Sequence, residues 1–400
     1  MSSYHTPGVY IQEVSTGAKL ITQVGTGTAG FIGITPNKNA WVNQAVVCQN
    51  KSEFYRKFSA KGDVDTHLSL AVASFFDNGG SRCFIVNIGT GSIAGKPGER
   101  SGLGCFEPYD EIAMIAAPGY SDLATHQALI GYCERLKNCI AILDAPPKAN
   151  VSEIGALTKV AKIKAPAAES ADEAKGGNAL RPPNSSYAAF YFPWVLIKSP
   201  LAPDQIVSAP PSGFMAGIYA RTDAKRGVHK APANEAVINA LGLEYEISNS
   251  EQETLNDAGV NCIRYFSNSG FRVWGARTLD TGEWKYINVR RLFIMIEESI
   301  ARSTQWVVFE PNDEFLWKAV VRDVTAFLKL LWRDGALQGS TPEQAFFVKC
   351  DAETNPPEVI DAGRLEIEIG IAPVKPAEFI VFRIGQWSGG TSVETEEAAE

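Results

Sequence analysis

Gly25-Thr26-Gly27-Thr28-Ala29-Gly30 is the stretch whose residue types and spacing could most directly do chemistry. A G-x-G-x-x-G pattern after a strand-like segment, here 20–24, can cradle a dinucleotide pyrophosphate when its third glycine lies in the helix that opens beneath it. In this chain the glycines run straight into Phe31-Ile32-Gly33-Ile34-Thr35-Pro36, a β pattern ended by proline. Glu53, the acidic residue nearest the spacing for a ribose contact, sits in the helix-like run Glu53-Phe54-Tyr55-Arg56-Lys57-Phe58. The loop therefore reads as a flexible approach to a strand. A cytoplasmic α/β enzyme using the 25–30 loop for a nucleotide cofactor is the alternative reading.

Other chemistry is thin. Neither G-x-x-x-x-G-K-[S/T] nor G-x-S-x-G occurs, and the four histidines (5, 67, 126 and 229) are dispersed, none at the i, i+4 spacing of a helical metal pair. Asp144 follows an apolar strand and could be catalytic, but Ala145-Pro146-Pro147 behind it favours a turn residue. Glu297 and Glu298 are adjacent on a helix, so they point about 100° apart and read as a solvated face. The seven cysteines (48, 83, 105, 133, 139, 262 and 350) include no C-x-x-C pair and read as reduced, mostly buried thiols. No catalytic residue, cofactor or metal site is expected.

These residues must be positioned by a chain of 400, long enough for two or three domains, with 45% hydrophobic residues and hence a real core. Lys+Arg of 37 against Asp+Glu of 45 gives a net charge of −8, which argues against nucleic-acid binding by bulk positive charge. The opening Met1-Ser2-Ser3-Tyr4-His5 carries no signal-peptide pattern, and the longest apolar stretch, 187–197, contains Pro193 and cannot span a bilayer.

Within 1–24, residues 7–14 read as a short strand and 15–24 as a flexible tether. Strand signals at 82–88, 112–116 and 139–144, with a helix at 123–137, predict a parallel βαβ unit and an α/β domain over 25–258. Residues 145–186, rich in Ala, Pro, Lys, Ser and Gly, read as a surface insertion with one weak helix. From 259 to 376 the pattern turns to α+β. It comprises a hairpin around Ser267-Asn268-Ser269-Gly270, a helix at 289–301, a short strand at 306–309, a helix at 312–333, and strands at 345–350 and 365–371. A last strand is expected at 378–384, inside a 377–400 segment that ends polar and acidic.

The 312–333 helix holds the strongest signal. Asn312 can cap it, and Asp313 and Glu314 complement its positive end. Leu316, Trp317, Val320, Val324, Phe327, Leu328 and Leu331 share one broad face. Lys318, Arg322, Lys329 and Arg333 fall within about 60° of one another on the opposite face, along roughly 22 Å. A solvated face is usually of mixed sign; here only Glu314 lies close, so the stripe points to an acidic partner surface.

Several blocks in one order carry a resemblance. Tyr4-His5-Thr6-Pro7-Gly8-Val9-Tyr10-Ile11, Ala29-Gly30-Phe31-Ile32-Gly33, Phe75-Phe76-Asp77-Asn78-Gly79-Gly80 and Arg226-Gly227-Val228-His229-Lys230 are among them. So are Pro211-Ser212-Gly213, Trp274-Gly275-Ala276-Arg277-Thr278, Tyr286-Ile287-Asn288-Val289-Arg290-Arg291, Gln305-Trp306-Val307-Val308-Phe309-Glu310-Pro311-Asn312, Phe347-Val348-Lys349-Cys350-Asp351 and Pro376-Ala377-Glu378-Phe379-Ile380. Together the chain resembles the sheath subunits of contractile phage tails and related injection particles, everywhere except 145–186 and the acidic tail.

The resemblance implies an inner, tube-facing domain of mixed sheet with flanking helices (259–376), an outer α/β domain (25–258), and extended terminal arms. Subunits would stack as helical hexameric rings around an inner tube, and a metastable extended state would contract to drive the tube through a membrane. Implied partners are further copies, the inner tube protein, and baseplate and terminal cap proteins, with no nucleic acid and no direct membrane insertion. Assembly in the bacterial cytoplasm and presence in a phage tail or a released tail-like particle follow. The short 145–186 insertion implies a compact sheath without large decorating domains. Val9, Tyr10, Ile11 and Val14, and Phe379, Ile380, Val381 and Phe382, would be arm strands completing sheets in neighbours. Isolated strand patterns of this kind are aggregation liabilities unless another chain's edge receives them. Each joint would bring about five backbone hydrogen bonds of roughly 0.5–1.5 kcal/mol net apiece.

Overall fold

The computed structural model describes residues 20–96, 98–148, 151–161 and 179–380. In chain order the first elements are β1 (Ala29–Gly33), β2 (Ala45–Cys48), α1 (Lys51–Phe58), α2 (His67–Asp77), β3 (Cys83–Asn87), β4 (Met114–Ala116), α3 (Leu123–Leu136), β5 (Ile140–Asp144) and α4 (Val151–Leu157). Next come β6 (Ala188–Phe192), β7 (Val195–Lys198), β8 (Ile206–Ala209), α5 (Pro211–Arg226), β9 (Gly242–Leu243), α6 (Asn249–Asp257), β10 (Val260–Phe266) and β11 (Gly270–Trp274). The chain ends in α7 (Ile287–Ser303), α8 (Glu314–Arg333), α9 (Pro342–Ala345), β12 (Phe346–Lys349), α10 (Pro357–Asp361) and β13 (Glu368–Ile371).

Eight strands form one mixed sheet in the order β11-β10-β6-β5-β4-β1-β3-β2. The six inner strands run parallel, and β2 and β11 close the two edges antiparallel. Its strands are apolar on both faces because helices cover both. In β5, Ile140 and Ile142 point into a core with α1, α2 and α5, while Ala141 and Leu143 point into a second core with α3, α4 and α6. The predicted βαβ unit, β4-α3-β5, lies at the centre of this three-layer arrangement. Helix α5 crosses α2 so closely that a Cβ on Gly213 would lie 2.3 Å from the Ala71 carbonyl, and one on Gly217 2.5 Å from that of Phe75. No residue but glycine fits either place.

A third core gathers α7, α8, β12 and the buried Ile21 and Val228. All seven apolar positions expected on one face of α8 are buried. The expected division at 258/259 falls inside the large sheet, since β10 and β11 are strands of it; the C-terminal core starts at α7. Two other expectations change. Residues 306–309 are not a strand: Gln305–Val307 is a 3-10 turn continuing from α7, and Phe309 turns left-handed at φ 69°. Asp313 rather than Asn312 caps α8, accepting from the Leu316 amide at 3.0 Å.

Candidate functional site

The glycine loop does not have the geometry of a nucleotide site. β1 begins at Ala29, so residues 25–28 enter its N-terminal end and Gly30 lies within the strand. Ligands of open parallel sheets bind beyond the opposite, carboxyl ends, where a helix N-terminus can meet a phosphate. Here a Cβ on Gly30 would lie 3.2 Å from the Phe106 ring and from Ile112, so the glycine permits packing. The Thr26 hydroxyl donates to Asp223 at 2.5 Å, and its carbonyl accepts from Arg291 at 3.1 Å.

Asp144, expected as a turn residue, is the buried last residue of β5, at the carboxyl end of that strand. Its carboxylate accepts from the Gly119 amide at 3.0 Å, the Ser212 amide at 2.7 Å and the Ser212 hydroxyl at 2.8 Å. Burial pushes its pKa up against those bonds, to about 6. Burial pulls His126, beside it, down to about 4. The three donors tie α5 and the β4–α3 turn to the sheet, which makes Asp144 a structural clamp. Among the described residues no three His, Cys, Asp or Glu side chains gather as a metal site, and no helix is long and apolar enough to cross a membrane. The seven cysteines are buried free thiols; burial raises Cys48 and Cys262 to about 12.

Where the two terminal segments join the body, the geometry is definite. The segment expected to be an unpacked tether is packed over its described part: Ile21 is buried, and the amides of Thr22 and Val24 donate to Ser303 and Ser299 of α7 at 3.2 and 3.0 Å. At the other end Glu378 lies against Arg277 in a two-bonded pair of 2.9 and 2.6 Å, with Lys285 at 3.7 Å and the Tyr286 hydroxyl at 3.5 Å. Burial opposes the charge on Glu378, yet these partners hold its carboxyl below the usual range. Beyond it Phe379 and Ile380 stand exposed and in no strand. Val9, Tyr10, Ile11, Val14, Val381 and Phe382 lie outside the described residues.

Lys318, Arg322, Lys329 and Arg333 are all exposed on the outer face of α8. The stripe is less uniform than its spacing predicts. Lys318 pairs with Glu314 at 2.9 Å, and Arg322 with the buried Asp323 at 2.9 Å. Lys329 and Arg333 have no ion-pair partner among the described residues, so the free positive charge concentrates at the C-terminal end.

Two sequence profiles match consecutive stretches: a phage tail sheath protein central domain over residues 106–279 and a phage tail sheath C-terminal domain over 280–386. The fold is similar to the sheath of PVC, an extracellular contractile injection system, in its contracted state. That match has a TM-score of 0.76 and 30% identity over 97% of this chain and 99% of the other. The chain belongs to the contractile tail sheath family. It is also similar to the contracted helical sheath of the anti-feeding prophage, at a TM-score of 0.73 and 30% identity over 96% of this chain and 100% of that one. A chain of the anti-feeding prophage baseplate, six-fold symmetrised, matches with TM-score 0.74 and 29% identity over 96% and 99%. The tail sheath protein of Escherichia phage P2 is 22% identical over 419 residues, 96% of each chain. This sheath chain is thus a structural subunit of a phage tail or tail-like particle, and its family implies a non-enzymatic role.

Three buried arginines that residue patterns did not single out hold the sheath chain together. Arg291 makes a pair with Asp223 at 2.6 and 3.0 Å, joining α7 to α5. Arg290 lies over the rings of Trp284 at 4.2 Å and Tyr187 at 4.6 Å and reaches Glu297 at 3.3 Å, so Glu297 is half of a pair and not a free solvated charge. Arg277 holds Glu378. The signal was present: two adjacent arginines open a helix whose following turns are apolar, where a charge must find a partner.

Proposed function

We propose that this sheath chain polymerises as stacked helical hexameric rings around an inner tube. It then contracts from a metastable extended state and drives the tube through a target membrane. The observation that carries the reading is the β12–β13 sheet. It has two strands, continued past β13 only by an antiparallel bridge between Leu337 and Pro373, and among the described residues no third strand runs along β12 or β13. A two-stranded sheet is marginal alone, and an open edge is a template for another chain. The segments around Val9–Val14 and Phe379–Phe382 fit as the strands that neighbouring copies supply. The exit of Phe379 and Ile380 from the Glu378 anchor favours donation outwards.

The unit built from α7, α8, β12 and β13 is the proposed inner domain, and the three-layer sheet the outer one. Lys318, Arg322, Lys329 and Arg333 then meet an acidic tube surface, with Lys329 and Arg333 contributing most. Six-fold symmetry in the related anti-feeding prophage baseplate supports hexameric rings and contact with baseplate proteins at one end of the stack, and cap proteins would close the other. Assembly would occur in the bacterial cytoplasm before release of the particle.

Deleting residues 1–16, or 379–400 so that Glu378 remains, is the test. Each product should stay a folded, soluble subunit and fail to build long sheaths. Normal tubes from either deletion would refute strand donation.

A further inference from the structure

Two of the buried thiols meet. Cys133 and Cys139 share the core beneath α3, and the Cys139 thiol donates to the Cys133 sulfur at 3.5 Å. The chain between them makes that contact. Lys137 turns left-handed at φ 61°, ending α3, and its amide donates to the Cys133 carbonyl at 2.7 Å. The Ile140 amide donates to the Ala113 carbonyl at 3.1 Å and fixes the start of β5. One cysteine is thus held by the end of a helix and the other by the start of a strand. A sulfur–sulfur bond is about 2.0 Å long, so the two side chains together need to close about 1.5 Å.

An open pocket of about 200 Å³ reaches the pair. Tyr109, Tyr132, Leu136 and Cys139 line it, together with Asn138, whose side-chain oxygen is buried with no hydrogen-bond partner among the described residues. A small oxidant that donates a hydrogen bond suits that floor. Cys48 and Cys83 stand opposite each other in β2 and β3, but inside the core with α1, α2 and α5.

We propose that Cys133 and Cys139 are a peroxide-reactive pair that closes to a disulfide, Cys139 attacking and Cys133 resolving. Cys139 loses its proton and attacks one oxygen of hydrogen peroxide. The O–O bond breaks, hydroxide leaves and takes up a proton, and Cys139 becomes a sulfenic acid. The Cys133 sulfur then attacks the Cys139 sulfur, the S–O bond breaks, and the oxygen leaves as water with the Cys133 proton. Two thiols give up two electrons, and one peroxide becomes two waters. The roles follow from position: Cys139 lines the pocket and Cys133 lies behind it. Burial pushes the Cys133 thiol well up, so it keeps its proton until the second step. Burial also makes the reaction slow, suited to prolonged exposure rather than a brief pulse. The closed bond ties α3 to β5 at the centre of the large sheet. The chemistry depends on neither strand donation nor tube docking.

The full-length chain, reduced and freed of reductant, is held in millimolar hydrogen peroxide, then unfolded in a thiol alkylator and cut with trypsin. Cleavage after Arg100, Arg135, Lys137 and Lys148 puts the two cysteines on separate peptides, 101–135 and 138–148. Those peptides should appear joined, two hydrogens lighter than their sum, at least tenfold faster than Cys48, Cys83, Cys262 or Cys350 loses its alkylation. Cys105 shares the first peptide, so fragmentation must place the bond on Cys133. In Cys133→Ser the link should vanish and Cys139 should be trapped as its dimedone adduct. Oxidation of the unmutated chain should raise its melting temperature by about 3 °C, as closing a short loop in a chain of this length does, and reductant should reverse the rise. Wild-type chain whose thiols all still take up the alkylator would overturn the proposal. So would oxidation of every cysteine at one rate, a bond placed on Cys105, or a folded Cys133→Ser variant with no adduct on Cys139. A linked chain with an unchanged melting temperature would deny that the bond fastens α3 to the sheet.

Discussion

Asp223→Ala tests the junction between the two units. Asp223 and Arg291 are paired through two bonds, with side chains only 8% and 4% exposed. Removing the carboxylate leaves a buried guanidinium with the Thr26 carbonyl at 3.1 Å and the Tyr219 ring at 4.7 Å, and leaves the Thr26 hydroxyl without its acceptor. Stripping one partner from a buried pair costs about 3–5 kcal/mol, because the remaining charge is neither hydrated nor compensated. With an unfolding entropy of roughly 2.1 cal/mol/K per residue, a chain of this length melting as one unit should lose about 4–6 °C. Replacing both partners, Asp223→Leu with Arg291→Met, should recover most of the loss, since an apolar pair of similar volume avoids the desolvation cost. Guanidinium denaturation followed by tryptophan fluorescence, with calorimetry beside it, reads both variants. A loss below about 1 kcal/mol for Asp223→Ala, or a double variant no better than the single, would refute the reasoning.

Acidification is expected to act on the Asp144 corner in two opposing ways. Asp144, raised to about 6 when folded, gives stability that is full below about 4 and lost as pH rises through 6; His126, lowered to about 4, gives stability present above about 6.5 and lost as pH falls towards 4. Each is on the order of 3 kcal/mol, so they nearly cancel; Asp144→Asn should lose more stability than wild type between pH 7 and pH 5, and His126→Asn less, by guanidinium midpoint. Equal shifts in all three proteins would reject this assignment. Reversing Lys329 and Arg333 to Glu should abolish extended sheath on tubes in electron micrographs almost as fully as reversing all four stripe residues, with Lys318 and Arg322 already paired. Undiminished extended particles would put the stripe in ordinary solvent. Glu378→Ala should destabilise the subunit by about 2–4 kcal/mol and shorten sheaths, because Arg277 keeps only the Asn256 carbonyl and Asp257; full-length sheaths would deny the anchor a role.

The strands of the large sheet were legible because they are buried on both faces, which writes them as apolar runs such as 139–144. The α8 face was legible because a helix of that length repeats its pattern over several turns. Short-range hydrogen bonds decided what could not be read. The 306–309 run has the composition of a strand, yet it lies between two helices whose capping bonds pull it into a turn. The Leu20–Val24 stretch looked like a tether because its partners, Ser299 and Ser303, lie far away in sequence. Asp144 looked like a turn residue because Gly119 and Ser212, which bury it, are also remote. The same limit hid Arg277, Arg290 and Arg291. Sequence marks a costly buried charge, while only the fold names the partner that offsets it.

Negative-stain electron microscopy of the purified full-length chain tests the central claim most directly. The account predicts tubes with a regular axial striation, extended where tube protein is supplied and contracted where it is absent. A uniform field of small globular particles across the concentrations at which related sheaths assemble would contradict it.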